Sequence, residues 1–273
     1  MSVHELELHD GRKIPRLGFG TWKIPNEEAA AVVRTAIEVG YRSIDTAEMY
    51  GNEEGVGEGI RASGLDRDEI FVTTKLMNDR QGFDEALRAF DESLERLGLE
   101  EVDLYLIHWP RPKTNLYVET WKAFVRLHQE GRARSIGVSN FHESHLERII
   151  GETGVVPVID QVELHPFLQQ RQLRAYLDEK GIATESWSPL ARARHLDDPV
   201  LQELAKKHGK TPAQVVIRWH LDSGLVVIPK SIHPDRIREN FDVFDFKLDA
   251  EDMARIGTLD QGLRTGADPD QWG

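Results

Sequence analysis

The sequence contains no cysteine. That removes disulfides, thiolate catalysis and zinc sites with sulfur ligands, and it gives no sign of an oxidising compartment. Long apolar runs are missing too: no stretch approaches the roughly 18 uncharged apolar residues of a spanning helix. The opening MSVHELELHDGRKIPRLG has no basic start followed by an apolar run, so a soluble cytoplasmic protein is expected. Positive charge is scarce, with 34 basic against 47 acidic residues and a formal net charge of -13. Neither nucleic acid nor an anionic membrane is therefore an expected partner, and any phosphate must be met by a local basic cluster. The dinucleotide fingerprint is absent as well. GVGEGI begins like one, but after Gly55 and Gly57 the third glycine falls at Gly59 where the pattern needs it at Ile60.

What is present is an alternation. With 273 residues and 40% hydrophobic content the chain can bury one large core. Short β-branched or apolar runs fall at 16–21, 42–45, 70–75, 102–108, 134–139, 155–164, 182–187 and 225–229. Amphipathic segments lie between them. Residues 27–39 carry Ala29, Val32, Val33, Ala36 and Ile37 at helical spacing, and 83–97 carry Ala86, Leu87, Phe90, Leu94 and Leu97. Strand alternating with helix implies parallel pairing, open or closed, and a count of eight in this length favours a closed (β/α)8 TIM barrel. LELHDGRKIPRL reads as an N-terminal β-hairpin before it. No linker interrupts Met1 to Asp260, so a single domain spanning 1–273 is expected, with the Gly-rich, polar tail QGLRTGADPDQWG as a loop or a disordered segment.

In such a barrel the C-terminal strand ends converge on one face. Asp45 ends the second strand, Tyr50 follows in its loop, Lys75 ends the third strand and His108 the fourth. Singly, these are a turn-forming Asp, a packed Tyr, a solvated Lys and a packed His. Together they form a proton-donating set. A phenol with a reference pKa of about 10 is a poor donor unless its phenolate is stabilised. An adjacent ammonium held by a carboxylate does this, and lowering the phenol by about two units takes about 2.7 kcal/mol. The imidazole can then hold a carbonyl oxygen beside the phenol.

At this point the chain resembles the aldo-keto reductases over nearly its whole length. GYRSIDTAEMYGNEEGVG (40–57), RSIGVSNF (134–141) and IPKSIHPDR (228–236) match three signatures of that family in order and at the right spacing. The resemblance implies a barrel that binds NADPH or NADP+ in extended form without a Rossmann domain. It makes Tyr50 the general acid, Asp45 and Lys75 its tuning pair, and His108 the group that orients a small carbonyl substrate. It places Ser139, Asn140 and Gln161 on the nicotinamide carboxamide and Trp187 against the nicotinamide ring. Lys230, Ser231 and Arg236 fall on the adenosine 2'-phosphate and Asn240 on the adenine, with Thr21, Trp22, Ser188 and Leu190 as further cofactor contacts. Lys, Arg and a hydroxyl are the local anion site that an acidic protein needs. Trp22, Trp109 and Trp272 are expected to line an apolar substrate mouth together with Tyr50 and His108.

Trp187 in place of the tyrosine of many members is similar to the bacterial 2,5-diketo-gluconate reductase branch. Asp160 stands where the family usually has Asn, Met77 where that branch is often aromatic, and the tail is short, which implies a more open mouth. A monomer is expected, as the family is often monomeric. His142 and His145 lie at helical spacing, but no His-Glu-x-x-His occurs and no metal is expected. Two other readings compete with the reductase: a non-catalytic NADP(H)-binding protein on the same fold, and a barrel hydrolase using Glu163 or His165.

Overall fold

A computed structural model describes residues 4–272; the ends of the expected 1–273 span, residues 1–3 and 273, lie outside it. The chain opens with β1 (Glu5–Glu7) and β2 (Lys13–Pro15), an antiparallel hairpin with Leu6 opposite Ile14 and a turn that needs Gly11 at φ 84°. Strands and helices then alternate: β3 (Phe19–Gly20), α1 (Asn26–Val39), β4 (Ser43–Asp45), α2 (Glu53–Ala62), β5 (Phe71–Leu76), α3 (Phe83–Leu97), β6 (Val102–Ile107) and α4 (Tyr117–Gln129). They continue through β7 (Ala133–Ser139), α5 (Glu143–Thr153), β8 (Ile159–Glu163), α6 (Arg171–Lys180) and β9 (Ala183–Trp187). The chain ends with α7 (Pro199–His208), α8 (Pro212–Asp222), β10 (Val226–Val227), α9 (Pro234–Phe241) and α10 (Ala250–Gly257).

Strands β3 to β10 form one parallel sheet in sequence order. It closes on itself: Leu17 bridges Val227, and Gly18 and Gly20 donate to the carbonyls of Val227 and Pro229. The expected eight-stranded barrel and its hairpin are both present. All six residues of β5 and all six of β6 are buried, as in a parallel sheet covered on both sides.

The helices dock by the predicted faces. Ala29, Val32, Val33, Ala36 and Ile37 of α1 are buried, and its first turn carries Glu27 and Glu28, which suit the positive end of the helix. In α2 the glycines that imitated a phosphate loop serve packing. A Cβ on Gly57 would lie 2.0 Å from the Leu97 carbonyl oxygen, and one on Gly55 would lie 2.3 Å from that of Asn26. Only glycine lets α2 approach its neighbours so closely.

Inside the barrel, the N-terminal end is apolar. Leu8 and Ile14 of the hairpin cluster with Phe71, Leu104, Leu106, Val158, Ile159 and Val226 and plug that end. Each such side chain contributes about 1.5–3 kcal/mol by leaving water. The plug leaves chemistry to the opposite, C-terminal end.

Candidate active site

One turn of polar side chains lies above the plug, drawn from four strands. Asp45 ends β4, Lys75 lies near the end of β5, Gln161 is in the middle of β8 and Glu185 of β9, all of them at most 2% exposed. The Lys75 ammonium donates to Asp45 Oδ1 at 2.6 Å and to the Thr46 carbonyl at 2.8 Å, and it points a third hydrogen at the Tyr50 hydroxyl at 3.5 Å. Burial opposes that charge, but Asp45 and Tyr50 outweigh it and hold the ammonium above its ordinary range.

Tyr50 is held by a short 3-10 helix, Glu48–Tyr50, between β4 and α2. Glu48 of the same turn accepts from the Met77 amide and from Arg80, which ties the turn to the end of β5, two residues beyond Lys75. The His108 ring meets the Tyr50 ring edge to face at 5.7 Å. Burial first, then Lys75, pushes His108 well below the ordinary imidazole range, so the ring is neutral. Its buried Nδ1 has no partner among the described residues. A hydrogen there would lack an acceptor, which assigns the hydrogen to Nε2. The four expected residues are thus brought together.

One expectation about them needs correction. The phenol of Tyr50 is not lowered: burial raises it above its ordinary value, and Lys75 offsets only part of the rise, with Asp45, and Glu185 when ionised, working in the same direction as burial. Lys75 therefore keeps the phenol usable in a buried setting rather than making it acidic.

Around this core, Ser139 donates to the Gln161 carbonyl at 2.7 Å. Asn140, in the left-handed region at φ 64° where Asn is tolerated better than most residues, donates to the His108 carbonyl and to Ser139, both at 3.0 Å. The Trp187 indole donates to Asn140 Oδ1 at 2.8 Å. Gln161 Nε2 reaches Asp45 Oδ2 at 2.7 Å and Glu185 Oε2 at 2.8 Å, so its amide oxygen is the end left for a ligand. An amide oxygen fixed in this way can accept from the N–H of a ligand such as a carboxamide. Asp160 explains its own departure from Asn. Fully buried, with one long bond from the Phe141 amide, its carboxyl is pushed well above the usual range and so is a neutral counterpart of the amide.

Farther along the rim, Thr21 donates through its amide and hydroxyl to the Asp45 carbonyl. Exposed Trp22 lies under two cations, Lys23 at 4.5 Å and Arg192 at 5.2 Å from its ring. Arg192 comes from the turn after β9, where Ser188, Ala191, Arg192 and Ala193 all have φ between 48° and 59°. Each costs about 1–2 kcal/mol in that conformation. The carbonyls of Ser188 and Leu190 close this turn, accepting from Ala191 and Ala193. Lys230 and Ser231 follow β10, and Arg236 and Asn240 lie on α9. None of these four bonds to another; Ser231 Oγ accepts from the His233 amide instead. Burial, then the neighbouring Lys23, lowers Lys230. Among the described residues Lys23 and Lys230 form no ion pair, and the two cations face each other closely enough for Lys23 to lower Lys230.

The tail crosses the rim. Glu163 accepts from the Thr265 amide and hydroxyl and from the Gly266 amide at 2.9 Å. Burial would raise that carboxyl, but these bonds and His165 hold it down to about 2, so it is a clamp and not a general base. A Cβ on Gly266 would meet Trp187 at 2.5 Å. Asp270 reaches His142 Nδ1 at 2.9 Å and His145 Nε2 at 3.5 Å. His145 Nδ1 accepts from the His142 amide, so its Nε2 carries a hydrogen toward Asp270 in place of a lone pair for a metal. Trp272 lies 5.5 Å from Trp109, which is itself 6.4 Å from Trp187, so two of the three expected tryptophans meet, while the ring contacts of Trp22 are with Lys23 and Arg192. Sequence reasoning missed Glu185, Lys23, Arg192 and the Glu163 clamp. Glu185 alone left a signal, standing two residues before Trp187 on the same face of a strand.

A closed barrel with this buried carboxylate, ammonium and phenol defines a carbonyl oxidoreductase. Residues 16–261 match the Aldo/keto reductase family, and the chain belongs to it. It is 56% identical to methylglyoxal reductase DkgA of Salmonella typhimurium and 54% identical to that of Escherichia coli, in each case over 98% of both chains. A mutant of Gox0644 in complex with NADPH superposes with a TM-score of 0.96 at 53% identity, covering all of both chains.

Proposed function

We propose that this protein reduces small aldehydes and ketones to alcohols with NADPH, with Tyr50 as proton donor. The observation that carries the reading is the Lys75 ammonium, bonded to Asp45 at 2.6 Å and aimed at the Tyr50 hydroxyl at 3.5 Å. NADPH supplies the hydride to the carbonyl carbon. His108, neutral with hydrogen on Nε2, holds the carbonyl oxygen beside the phenol. Tyr50 gives its proton to that oxygen as it becomes an alkoxide, a far stronger base than phenolate, so a raised phenol still donates. Lys75 stabilises the phenolate left behind, and Asp45 keeps Lys75 charged.

Ser139, Asn140 and Gln161 hold the carboxamide and Trp187 stacks on the ring. Thr21, Trp22, Ser188 and Leu190 contact the rest of the cofactor. Lys230, Ser231 and Arg236, with Lys23 alongside, take the 2'-phosphate, and Asn240 the adenine. Trp22, Trp109 and Trp272 wall the substrate. The named reductases among the relatives support a small 2-oxoaldehyde such as methylglyoxal, and a keto sugar of the diketo-gluconate kind suits the same mouth. They do not support the non-catalytic alternative, and the engaged Glu163 does not support the hydrolase. We further read the chain as one barrel domain over 1–273, working as a monomer in the cytoplasm; among the described residues no helix is long and apolar enough to cross a membrane. The test is NADPH oxidation, monitored by absorbance, against methylglyoxal, other aldehydes, keto sugars and keto acids. The highest kcat/KM is expected for a small aldehyde with NADPH, with NADH far behind; absence of turnover across the panel would overturn the reading.

A further inference from the structure

The reaction uses Asp45 and Lys75 but leaves a second buried carboxyl beside them without a role. Glu185 is 1% exposed on β9, directly opposite Gln161 on β8 and next to Val226 on β10. Among the described residues its one hydrogen bond is from Gln161 Nε2 at 2.8 Å. No cation among them is bonded to it: Lys75 spends its hydrogens on Asp45, the Thr46 carbonyl and Tyr50. The single amide nitrogen of Gln161 is therefore stretched between two carboxyls, at 2.7 Å and 2.8 Å, with one ammonium for both. Two ionised carboxylates there would leave one buried charge uncompensated, which is costly enough that the group holds a proton instead.

We propose that Glu185 is a positioning residue of the reductase. As a neutral acid it shares with Asp45 the grip on Gln161 that turns the amide oxygen to the cleft. On ionising, it places a second negative charge beside Lys75 and weakens Tyr50 as a donor. This rests on the reading of Tyr50 as the proton donor.

The groups that face Glu185 are Asp45 from β4, Lys75 from β5, Gln161 from β8 and the Tyr50 hydroxyl, with apolar Val226 on its other side. Burial first, then Asp45, pushes Glu185 up to about 8, against the smaller pull of Gln161 and Lys75. The other catalytic groups with resolved shifts move out of that range: Tyr50 and Lys75 upward, His108 well downward. Of the groups facing the phenol, Glu185 is the one a bend near pH 8 would report. The loss on ionisation has a direction too, since a negative charge raises the phenol further and makes it a poorer acid.

The experiment is the pH profile of kcat/KM for carbonyl reduction at saturating NADPH, in the natural enzyme and in Glu185→Gln. The natural profile is expected to fall about tenfold between about pH 7 and about pH 9.5, and the Glu185→Gln profile to change by less than about twofold. A flat natural profile overturns the proposal, as does an unchanged bend in Glu185→Gln. Infrared difference spectra give a second readout: at neutral pH the natural enzyme is expected to carry protonated-carboxyl intensity beyond that of buried Asp160, which is missing from Glu185→Gln and is lost in the natural enzyme as pH rises through the bend. Equal protonated-carboxyl intensity in the natural enzyme and Glu185→Gln at neutral pH would overturn the proposal. Should Glu185→Gln fail to fold, Glu185→Asp is expected to move the bend, because the shorter acid does not reach Gln161; a bend left in place overturns the proposal. If Tyr50→Phe retains turnover, the donor assignment itself fails, whereas an inactive Tyr50→Phe with an unmoved bend in the Glu185 variants fails this proposal alone.

Discussion

The two ends of the barrel are made by the same strands and have opposite chemistry. At the N-terminal end Leu8, Ile14, Phe71, Leu104 and Val158 pack without a charge among them. At the C-terminal end Asp45, Lys75, Gln161 and Glu185 are buried just as deeply and are all polar. The apolar end stabilises simply by leaving water. The polar end is held by mutual pairing, because each of its charges would be costly alone. One end can lose a methyl group and remain a barrel with the same chemistry; the other cannot lose a partner without upsetting the rest.

The largest break in that comparison is expected from Lys75→Met. It leaves Asp45 buried without its cation and Tyr50 without its support. Carbonyl reduction should fall by about a thousandfold, and denaturant unfolding should register a loss of about 3–5 kcal/mol. At the other end Ile14→Ala should cost about 2–5 kcal/mol and leave kcat/KM unchanged wherever the protein is folded. If Ile14→Ala lowered turnover as Lys75→Met does, the division between the ends would be wrong.

Much of this division was legible in the sequence. Eight short apolar runs fall on the eight barrel strands, and the amphipathic segment 83–97 is α3 to the residue. Asp45, Tyr50, Lys75 and His108 were readable because strand ends in a parallel barrel share one face. The direction of the Tyr50 shift was not readable: it depends on how deeply the phenol is buried, and burial outweighs the nearby ammonium. Nor was the tail clamp, since the bonds from Thr265 and Gly266 to Glu163 join residues about a hundred positions apart.

Smaller effects sharpen the picture along the rim. Lys230→Met should cut the preference for NADPH over NADH by about 10-fold to 100-fold, read from the ratio of kcat/KM values, with little effect on NADH itself. Glu163→Gln should raise the KM for the carbonyl several-fold, by about 1 kcal/mol, with kcat nearly unchanged, since it loosens the tail and not the donor. The pH dependence has a definite sign. Folded Glu163 lies at about 2 against an ordinary 4.5, so its contribution is complete above that ordinary value and is lost as pH falls toward 2. Tryptophan fluorescence from Trp272 against Trp109 should report release of the tail in that window, and the change should be absent from Glu163→Gln.

The most direct test of the account is a single-turnover measurement on Tyr50→Phe. The variant keeps the ring and loses only the hydroxyl. It should quench its fluorescence with NADPH as the natural enzyme does, unfold at nearly the same temperature, and reduce methylglyoxal at least about a hundredfold more slowly. Reduction within about tenfold of the natural rate would contradict the assignment of Tyr50 as the proton donor.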